Sequence, residues 1–440
     1  MTEITTEKAR IGAPSAQPFI DGFTEEGESL SPINVDKSAD ASAPAANAPV
    51  AGPLGGASSK SHSHGGGVGI PDSSRAGRLT SYKLNDFKAL TGMEEDWRFT
   101  PLKRLRGLHT DALTGAAPVV EVTAPEGVIV ETVDRTDARI GSAAIPEDRV
   151  SANAWENFAQ ATVITIPKEH VASGEVSVVV TGAGTDPAAS HLLIVAEQFS
   201  KATIVLEHHG SAVLSENVEI LVKDGADLTV ISLQEWEDDA VHASSQQAKL
   251  GRDAKFKHIV VSLGGDLVRL TPSARFTGTG AEAQLFGLYF ADAGQHLEQR
   301  LFVDHAVANC KSNVLYKGAL QGRNAHTVWV GDVLIRKEAE GTDTYEANRN
   351  LVLTDGARAD SVPNLEIETG LIEGAGHASA TGRFDDEHLF YLMARGISEE
   401  VARRLVVRGF LNEIIQQIHV PALEERLTEA VERELAASEN

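Results

Sequence analysis

The sequence has little cysteine, a shortage of basic residues and no long hydrophobic run. Its 440 residues include one cysteine, Cys310, so this chain can form no intrachain disulfide and no cysteine-rich metal cage of its own. Lys and Arg number 39 against 63 Asp and Glu, and the resulting net charge of -24 argues against binding to phosphate backbones. No apolar run approaches the roughly 20 residues that cross a bilayer. We therefore expect a cytoplasmic protein that contacts neither nucleic acid nor membranes.

Several catalytic and nucleotide-binding motifs are also missing. The sequence contains no G-x-x-x-x-G-K-[ST] phosphate loop, so the chain is not itself a P-loop ATPase. It contains neither a G-x-S-x-G nucleophile elbow nor an H-E-x-x-H zinc motif.

Composition divides the chain into four segments. Residues 1–78 are rich in Ala, Pro, Ser and Gly, which predicts a flexible tail because such a segment buries too little apolar surface to fold. Residues 79–115 carry apolar anchors at helical spacing and predict an N-terminal helical cap. Residues 116–382 predict a β core, and residues 383–440 predict a C-terminal helical domain.

The β core is a long succession of short runs in which apolar residues alternate with polar ones. Similar turn units recur between the runs at intervals of roughly 25 to 35 residues, as in KDGADL, GRDAKF, GTGAEAQL, GRNAHT and DGARAD. Recurring turns of one kind are typical of a solenoid. We predict a mainly β fold, a right-handed parallel β-helix flanked by N-terminal and C-terminal helical segments. The open ends of such a stack need covers, and we expect residues 81–108 and the C-terminal helices to provide them.

His377 lies among small residues between the last predicted strand and the first predicted helix. It is flanked by Gly374, Ala375, Gly376 and Ala378, so nothing bulky in the local sequence shields its ring. A functional imidazole and a structural turn histidine both fit this pattern.

Two helices are predicted after His377. The first begins at Asp385 or Asp386 and stops at Gly396, and the second opens at Ser398, whose side chain can cap free backbone N–H groups. The apolar stripe of the second helix is wider than a lone surface helix needs, so it covers its own domain, meets a partner, or does both. The residues of this stripe are Val401, Leu405, Phe410, Ile414 and Ile418.

Clustered acids keep a second function class open, because β-helices also occur as carbohydrate-active enzymes with paired carboxylates. Solvent-facing acids are the simpler interpretation in a chain with 63 of them. The acids concerned are Asp304, Asp355, Asp360, Glu366 and Glu368.

The remaining histidines and the cysteine are interpreted as structural. His208 and His209 end a strand, so one is expected to point inward and the other outward. The others in this group are His258, His305, His326 and Cys310.

Several ordered blocks carry a resemblance to a known family. PNLEI, the His377 turn before GRFDDE, LFYLMARGI and VARRLVVRGF follow one another near the C-terminus, and EEDWRFTPLKRL lies far upstream. Over roughly residues 80 to 420 the sequence resembles SufD of the SufB/SufD family, a subunit of the SufBCD iron–sulfur cluster assembly complex. The resemblance implies a non-enzymatic scaffold that pairs with SufB through β-helix edges and docks the SufC ATPase, which alone uses ATP. A homodimer is the alternative for the isolated chain.

The same resemblance implies site residues. It places His377 at the cluster-assembly interface, as a transient metal ligand to an iron–sulfur cluster formed with SufB. The family motif commonly reads C-S-H-G-A-T, and this chain has Ala375 where the cysteine stands, which shifts sulfur chemistry to the partner. A SufB-type paralogue is the alternative, and the absence of the cysteine and the Glu-Ala-Thr run that SufB usually carries after its histidine favours SufD. The implied SufC-docking residues are Phe390, Tyr391, Arg395, Val401, Leu405, Phe410 and Ile414.

Overall fold

The computed structural model describes residues 77–110, 112–383 and 386–437, and within them the chain is mainly β. The predicted tail lies outside the described residues except for its last two positions. Among the described residues, no helix is both long enough and apolar enough to cross a lipid bilayer.

The described ranges contain eighteen strands. In chain order they are β1 (Val119–Thr123), β2 (Ile129–Asp134), β3 (Gln160–Ile166), β4 (Val176–Thr181), β5 (Gly184–Ala196), β6 (Lys201–Gly210), β7 (Ala212–Val222), β8 (Asp227–Trp236), β9 (Val241–Leu250), β10 (Lys255–Ser262), β11 (Leu267–Phe276), β12 (Glu282–Ala291), β13 (His296–His305), β14 (Lys311–Leu320), β15 (His326–Ile335), β16 (Asp343–Val352), β17 (Arg358–Ile367) and β18 (Gly374–Arg383). The helices are α1 (Arg149–Asn157), α2 (Asp386–Met393), α3 (Glu399–Ile415) and α4 (Pro421–Ala437).

The strands form two nine-stranded sheets that together make a parallel β-solenoid of about eight turns. Sheet A has the order β1-β4-β6-β8-β10-β12-β14-β16-β18, and sheet B has the order β17-β15-β13-β11-β9-β7-β5-β3-β2. From β3 onward, successive strands alternate between the sheets and pair in parallel with the strand two places along the chain. The predicted solenoid is confirmed.

A backbone position in each turn explains why the sequence repeat is detectable but irregular. Strands β6, β8, β10, β12, β14 and β16 each begin two residues after a residue with positive φ. That conformation favours Gly and is next most accessible to Asn and Asp. The residues in this position are Phe199, Gly225, Asp253, Gly280, Asn309 and Gly341. Asn309 takes this position before β14, where the turn contains no glycine.

Alternate residues of both sheets point into the solenoid lumen, which is packed with aliphatic and aromatic side chains over most of its length. The period of two in a strand sends the remaining residues to the outer faces. The buried lumen side chains form one continuous cluster that runs from Ile164 to Ala339.

Helical and irregular segments cover the outer faces of the sheets rather than the ends of the stack, which corrects the expectation stated above. Trp97, Leu105 and Leu108 pack with α1 on the outer face of sheet B. Helices α3 and α4 pack on the outer face of sheet A against residues such as Ile259 and Leu288. The physical reason is that outward-facing positions of the strands are themselves apolar, so each face needs a layer over it.

Local predictions near the termini have mixed outcomes. Helix α3 begins after Ser398, whose hydroxyl accepts from Val401 N–H, as predicted. The segment before β1 holds two short 3₁₀ helices, Leu84–Asp86 and Leu102–Leu105, instead of the longer helix that its spacing predicts. Helix α1 has no counterpart in the sequence prediction, although Asp148 and Ser151 form a capping box at its start.

The two ends of the solenoid differ. At the N-terminal end each sheet is closed by an antiparallel strand, β1 on β4 and β2 on β3. At the C-terminal end β17 and β18 pair only with β15 and β16 among the described residues. Residues of β17 and β18 are half-buried or exposed, whereas those of β13 are all buried. The C-terminal end is therefore an open sheet edge over an uncovered lumen.

Candidate functional site at the open end of the solenoid

His377 lies on β18, the last strand of sheet A, in register with Glu346 on β16. Its side chain faces the lumen, because His377 lies in register with Glu346, whose side chain is fully buried in the lumen. His377 is 44% exposed because no further strand covers it in the described chain. The prediction that nothing bulky shields this ring agrees with its exposure.

Glu346 is the group on which His377 stacks. Nδ1 of His377 lies 3.9 Å from Oε1 of Glu346, close enough for electrostatic contact but too long for a hydrogen bond. Neither carboxylate oxygen of Glu346 has a hydrogen-bond partner among the described residues. Burial, helped by the nearby Asp332 carboxylate, raises the pKa of Glu346 to about 8. The carboxyl group is therefore held largely neutral near neutral pH.

Glycine on the opposite sheet makes room for this buried acid. Gly331 on β15 faces Glu346 across the lumen, and a methyl group added there would overlap both Oε2 of Glu346 and the Trp329 ring. A side chain at that position would expel the carboxyl group. The structure thus keeps a buried, unpaired acid directly beneath His377.

The rim of the open end carries polar and apolar groups. Ser379 and Ser361 join the two sheets through hydroxyl groups 2.8 Å apart. Three large apolar side chains are solvent-exposed near the last turn: Tyr345 at 48%, Ile367 at 47% and Leu371 at 64%. Exposed apolar groups beside an open sheet edge are typical of a surface that a partner covers.

The residues that the resemblance implies for docking divide into two groups. Phe390, Tyr391, Val401 and Leu405 are exposed by 74%, 57%, 45% and 45% and form the outer surface of α2 and α3. Arg395 is also exposed, and its guanidinium lies 3.7 Å from the centre of the Tyr391 ring. We call these five residues the outer helical face.

The other two docking candidates face inward. Ile414 is completely buried between α3 and sheet A, and Phe410 is half-buried in the same cluster. Lys317 of β14 lies 4.6 Å from the Phe410 ring centre, donates to Phe410 O at 2.9 Å and pairs with Glu413 at 2.5 Å. These contacts anchor α3 to the solenoid, so Phe410 and Ile414 act in internal packing.

Cys310 is completely buried, as predicted for a small hydrophobe. Burial raises the pKa of its thiol, which disfavours the reactive thiolate. The residue precedes β14, two strands away from β18, a separation of about 10 Å. Cys310 therefore does not take the place of the thiol that Ala375 lacks.

The remaining histidines are packed. His208 is buried and His209 is half-exposed beside Glu207, which confirms the predicted inward and outward pair. Burial lowers the pKa of His258 to about 4 and that of His305 to about 3, so both are neutral. His326 bonds Asp360 at 2.7 Å.

Two of the clustered acids, Asp304 and Asp360, are engaged in separate ion pairs. Asp304 bonds Arg336 at 2.6 Å, and Asp360 pairs with Arg358 at 2.8 Å. The Arg358 and His326 partners hold the pKa of Asp360 below its ordinary value, the opposite of what a general acid needs. This observation disfavours the glycosidase alternative.

Glu346 is the residue of this site that the sequence interpretation missed. The strand DTYEANRNLV places it between Thr344 and Asn348 on the same face, both of which are buried. The available signal was a glutamate at an inward-facing position of an alternating strand, because acids are rarely buried without partners.

Comparisons with known proteins agree on one family. The profile of the family described as SUF system FeS cluster assembly, SufBD core domain, matches residues 178–410. An iron–sulfur cluster assembly SufBD family protein of Mycobacterium tuberculosis H37Rv is 54% identical over 371 residues, 82% of this chain and 93% of that protein. One from Mycobacterium leprae is 54% identical over 373 residues, covering 83% and 95%. A second M. leprae SufBD family protein is 27% identical over 201 residues, 46% of this chain and 23% of its own length.

Proposed function

The chain belongs to the SufBD family of iron–sulfur cluster assembly proteins, and from this membership we propose that it is a SufD-type scaffold subunit without enzymatic activity of its own. It pairs with a SufB subunit and docks the SufC ATPase, which supplies all ATP hydrolysis. The observation that carries the proposal is the exposed His377 at an uncovered solenoid end, above a buried acid.

Pairing with SufB uses the open C-terminal edge. Within the described chain no strand pairs with the outer edges of β17 and β18, and a partner solenoid can add its own strands there. Tyr345, Ile367 and Leu371 supply apolar surface around that edge. In the absence of SufB the same edge serves a homodimer of the chain.

His377 acts at the interface that this pairing creates. Iron is the substrate, and an exposed imidazole is a competent ligand for it. Glu346 lies on the Nδ1 side of the ring at 3.9 Å, which leaves Nε2 for the cluster under assembly. Ala375 and the buried Cys310 bring no thiolate to this place, so SufB supplies the sulfur ligands. A chain that brings no thiolate to this position fits a SufD-type subunit better than a SufB-type subunit.

The outer helical face docks SufC. Its four apolar residues lie on α2 and the first turns of α3, next to an α3 segment that is fixed to sheet A by Lys317. A rigid connection of this kind can transmit movement of the ATPase to the solenoid. Closure of two SufC subunits then opens the interface around His377, provided that the partner contacts differ between the two states.

The proposal is tested by co-expressing the chain with candidate SufB and SufC subunits under anaerobic conditions and measuring iron and sulfide in the purified complex. We expect a complex of all three proteins that carries both elements. A chain that purifies alone, with neither partner nor iron, would contradict the scaffold role.

Docking is tested separately with Leu405→Ser. Because Leu405 is 45% exposed, the change leaves the fold intact and weakens co-purification of SufC. Val171→Ser is the matched control, since Val171 is 62% exposed on the solenoid, away from the helices. Equal SufC recovery with both variants would exclude the outer helical face as the docking surface.

A further inference from the structure

A second histidine and carboxylate cluster lies inside the solenoid, far from His377. It comprises His208 on β6, Glu216 on β7 and His242 on β9, and all three side chains are completely shielded from solvent. Strand β6 is six strands from β18 in sheet A, a separation of about 29 Å. The cluster is therefore independent of the role proposed for His377.

The three side chains converge on one point. Nε2 of His208 lies 3.1 Å from Oε2 of Glu216, and Nε2 of His242 lies 3.5 Å from the same oxygen. All three potential ligand atoms lie within 4.8 Å of one another. Metal–ligand bonds of 2.0–2.1 Å in tetrahedral geometry separate ligand atoms by about 3.3 Å. The two measured distances bracket that value.

The outer nitrogens of both rings are held in the way that metal-binding histidines require. Nδ1 of His208 lies 3.0 Å from Leu233 O, and Nδ1 of His242 lies 2.7 Å from Oε1 of Gln234. For His242 the Gln234 carbonyl oxygen only accepts, so Nδ1 carries the proton and Nε2 keeps a lone pair directed at the cluster. Nδ1 of His208 also lies 3.1 Å from the Gln234 amide nitrogen, and its Nε2 donates to Oε2 of Glu216 at 3.1 Å, so an ion that binds here displaces that proton. The Trp236 indole N–H reinforces this arrangement by donating to the same Gln234 oxygen at 2.8 Å.

His242 supplies the observation that points to a cation. Within the described ranges its Nε2 has no hydrogen-bond partner, although the ring is fully buried. A lone pair facing a carboxylate at 3.5 Å is repulsive, and an unsatisfied buried nitrogen is destabilising. A positive ion between the two groups would remove both penalties.

Hydroxyl groups also hold the carboxyl group of Glu216 in place. Ser190 donates to Oε1 of Glu216 at 3.2 Å, and Ser244 donates to Oε2 at 3.0 Å. A carboxyl oxygen and the Nε2 atoms of two imidazoles thus share one buried space.

We propose that His208, Glu216 and His242 form a structural binding site for one divalent first-row transition ion. Two imidazoles and one carboxylate suit Zn²⁺ or Fe²⁺, whereas Ca²⁺ and Mg²⁺ prefer oxygen ligands throughout. The ion links strands of both sheets across a stretch of lumen where polar residues replace the apolar core. Its role is to stabilise the solenoid.

The experiment uses the full chain carrying His377→Ala, which removes the exposed histidine at the open end of the solenoid. The protein is produced in medium supplemented with Zn²⁺ or, anaerobically, with Fe²⁺, dialysed against EDTA, and analysed for bound metal. We expect about one ion per chain in one of the two media, retained because the site is buried. X-ray absorption at the metal edge should show nitrogen and oxygen neighbours with imidazole scattering and no sulfur.

Two substitutions assign the ion to the cluster. Glu216→Gln keeps the shape of the side chain but removes its charge, and should lower metal retention by at least about tenfold. His305→Gln, at another buried lumen histidine whose hydrogen-bond partner in the described part of the chain is Ser312 Oγ, should retain the ion. Loss of the ion should also remove the roughly 3–5 °C rise in unfolding temperature that binding confers.

Two results would overturn the proposal. One is a His377→Ala chain that retains no stoichiometric metal from either medium. The other is equal retention by the Glu216→Gln and His305→Gln variants. The first measurement needs no substitution in the cluster, so it decides even if Glu216→Gln fails to fold.

Discussion

Replacing Glu346 by glutamine should make the protein more stable at neutral pH and should flatten the pH dependence of its stability. The carboxyl group is fully buried, has no hydrogen-bond partner among the described residues, and has its pKa raised by burial to about 8 from an ordinary value of 4.5. Between these two values the folded state holds a proton that the unfolded state has released. Stability therefore falls as pH rises through this window and stays low above it.

The magnitude follows from the size of the shift. A shift of one pKa unit corresponds to 1.36 kcal/mol, so the buried acid costs about 3 kcal/mol at pH 7 and about 1 kcal/mol at pH 5. The amide that Glu346→Gln introduces would not titrate, so whatever its burial costs is the same at both pH values. Between pH 5 and pH 7 the free energy of unfolding of the wild type should thus fall by about 2–3 kcal/mol more than that of Glu346→Gln.

Thermal unfolding of the two proteins at both pH values measures this difference. For a chain of this size, that free-energy difference corresponds to roughly 3 °C. The gap between the unfolding temperatures of the two proteins should therefore change by this amount from pH 5 to pH 7. Glu282→Gln, at an exposed position on β12, is the control and should show no such change. Unfolding temperatures of wild type and Glu346→Gln that run parallel from pH 5 to pH 7 would refute the reasoning.

Two further substitutions test how the solenoid is built. Lys317→Met removes the buried cation that joins α3 to sheet A and should weaken that attachment by about 2 kcal/mol. The weaker attachment should be measurable as faster proteolysis of the C-terminal helices. Lys311→Met, which changes an exposed side chain, should leave the rate of proteolysis unchanged. Gly225→Ala places a methyl group against the Phe199 ring at a φ of +67° and should lower the free energy of unfolding by about 1–2 kcal/mol. Gly174→Ala, where no atom lies within 4 Å and φ is not positive, should be nearly neutral by urea unfolding. Equal effects within either pair would contradict the contacts described.

The strand pattern of the solenoid could be predicted from the sequence, because alternation and recurring turns are local properties. The regularity of the turns could not, since the left-handed position before each strand is filled by several residue types. Asn309 and Asp253 adopt this conformation with short polar side chains, and Phe199 adopts it with its ring packed over Gly225.

The placement of the covering helices depends on long-range packing that no local pattern reveals. The apolar stripe of α3 is visible in the sequence, but its core partners, such as Ile259 and Leu288, lie more than a hundred residues away. The stripe therefore divides in a way that spacing cannot predict: Ile414 packs on sheet A, and Leu405 remains exposed.

His377 could be predicted as a candidate from its small neighbours and from the family resemblance. Glu346 beneath it could not, because the contact exists only when β16 and β18 are paired in the observed register. The open end that exposes His377 is likewise a property of sheet topology rather than of any one residue.

The central claim is that His377 acts in cluster assembly at the open end of the solenoid. The most direct test is the iron and sulfide content of the anaerobically co-expressed complex with SufB and SufC, comparing His377→Ala with Ser379→Ala. Both positions face the same way on β18 and are exposed, so the second substitution controls for any general effect on pairing. We predict that both variants form the complex and that His377→Ala alone loses most of its iron and sulfide. Equal iron and sulfide in the two complexes would contradict the claim.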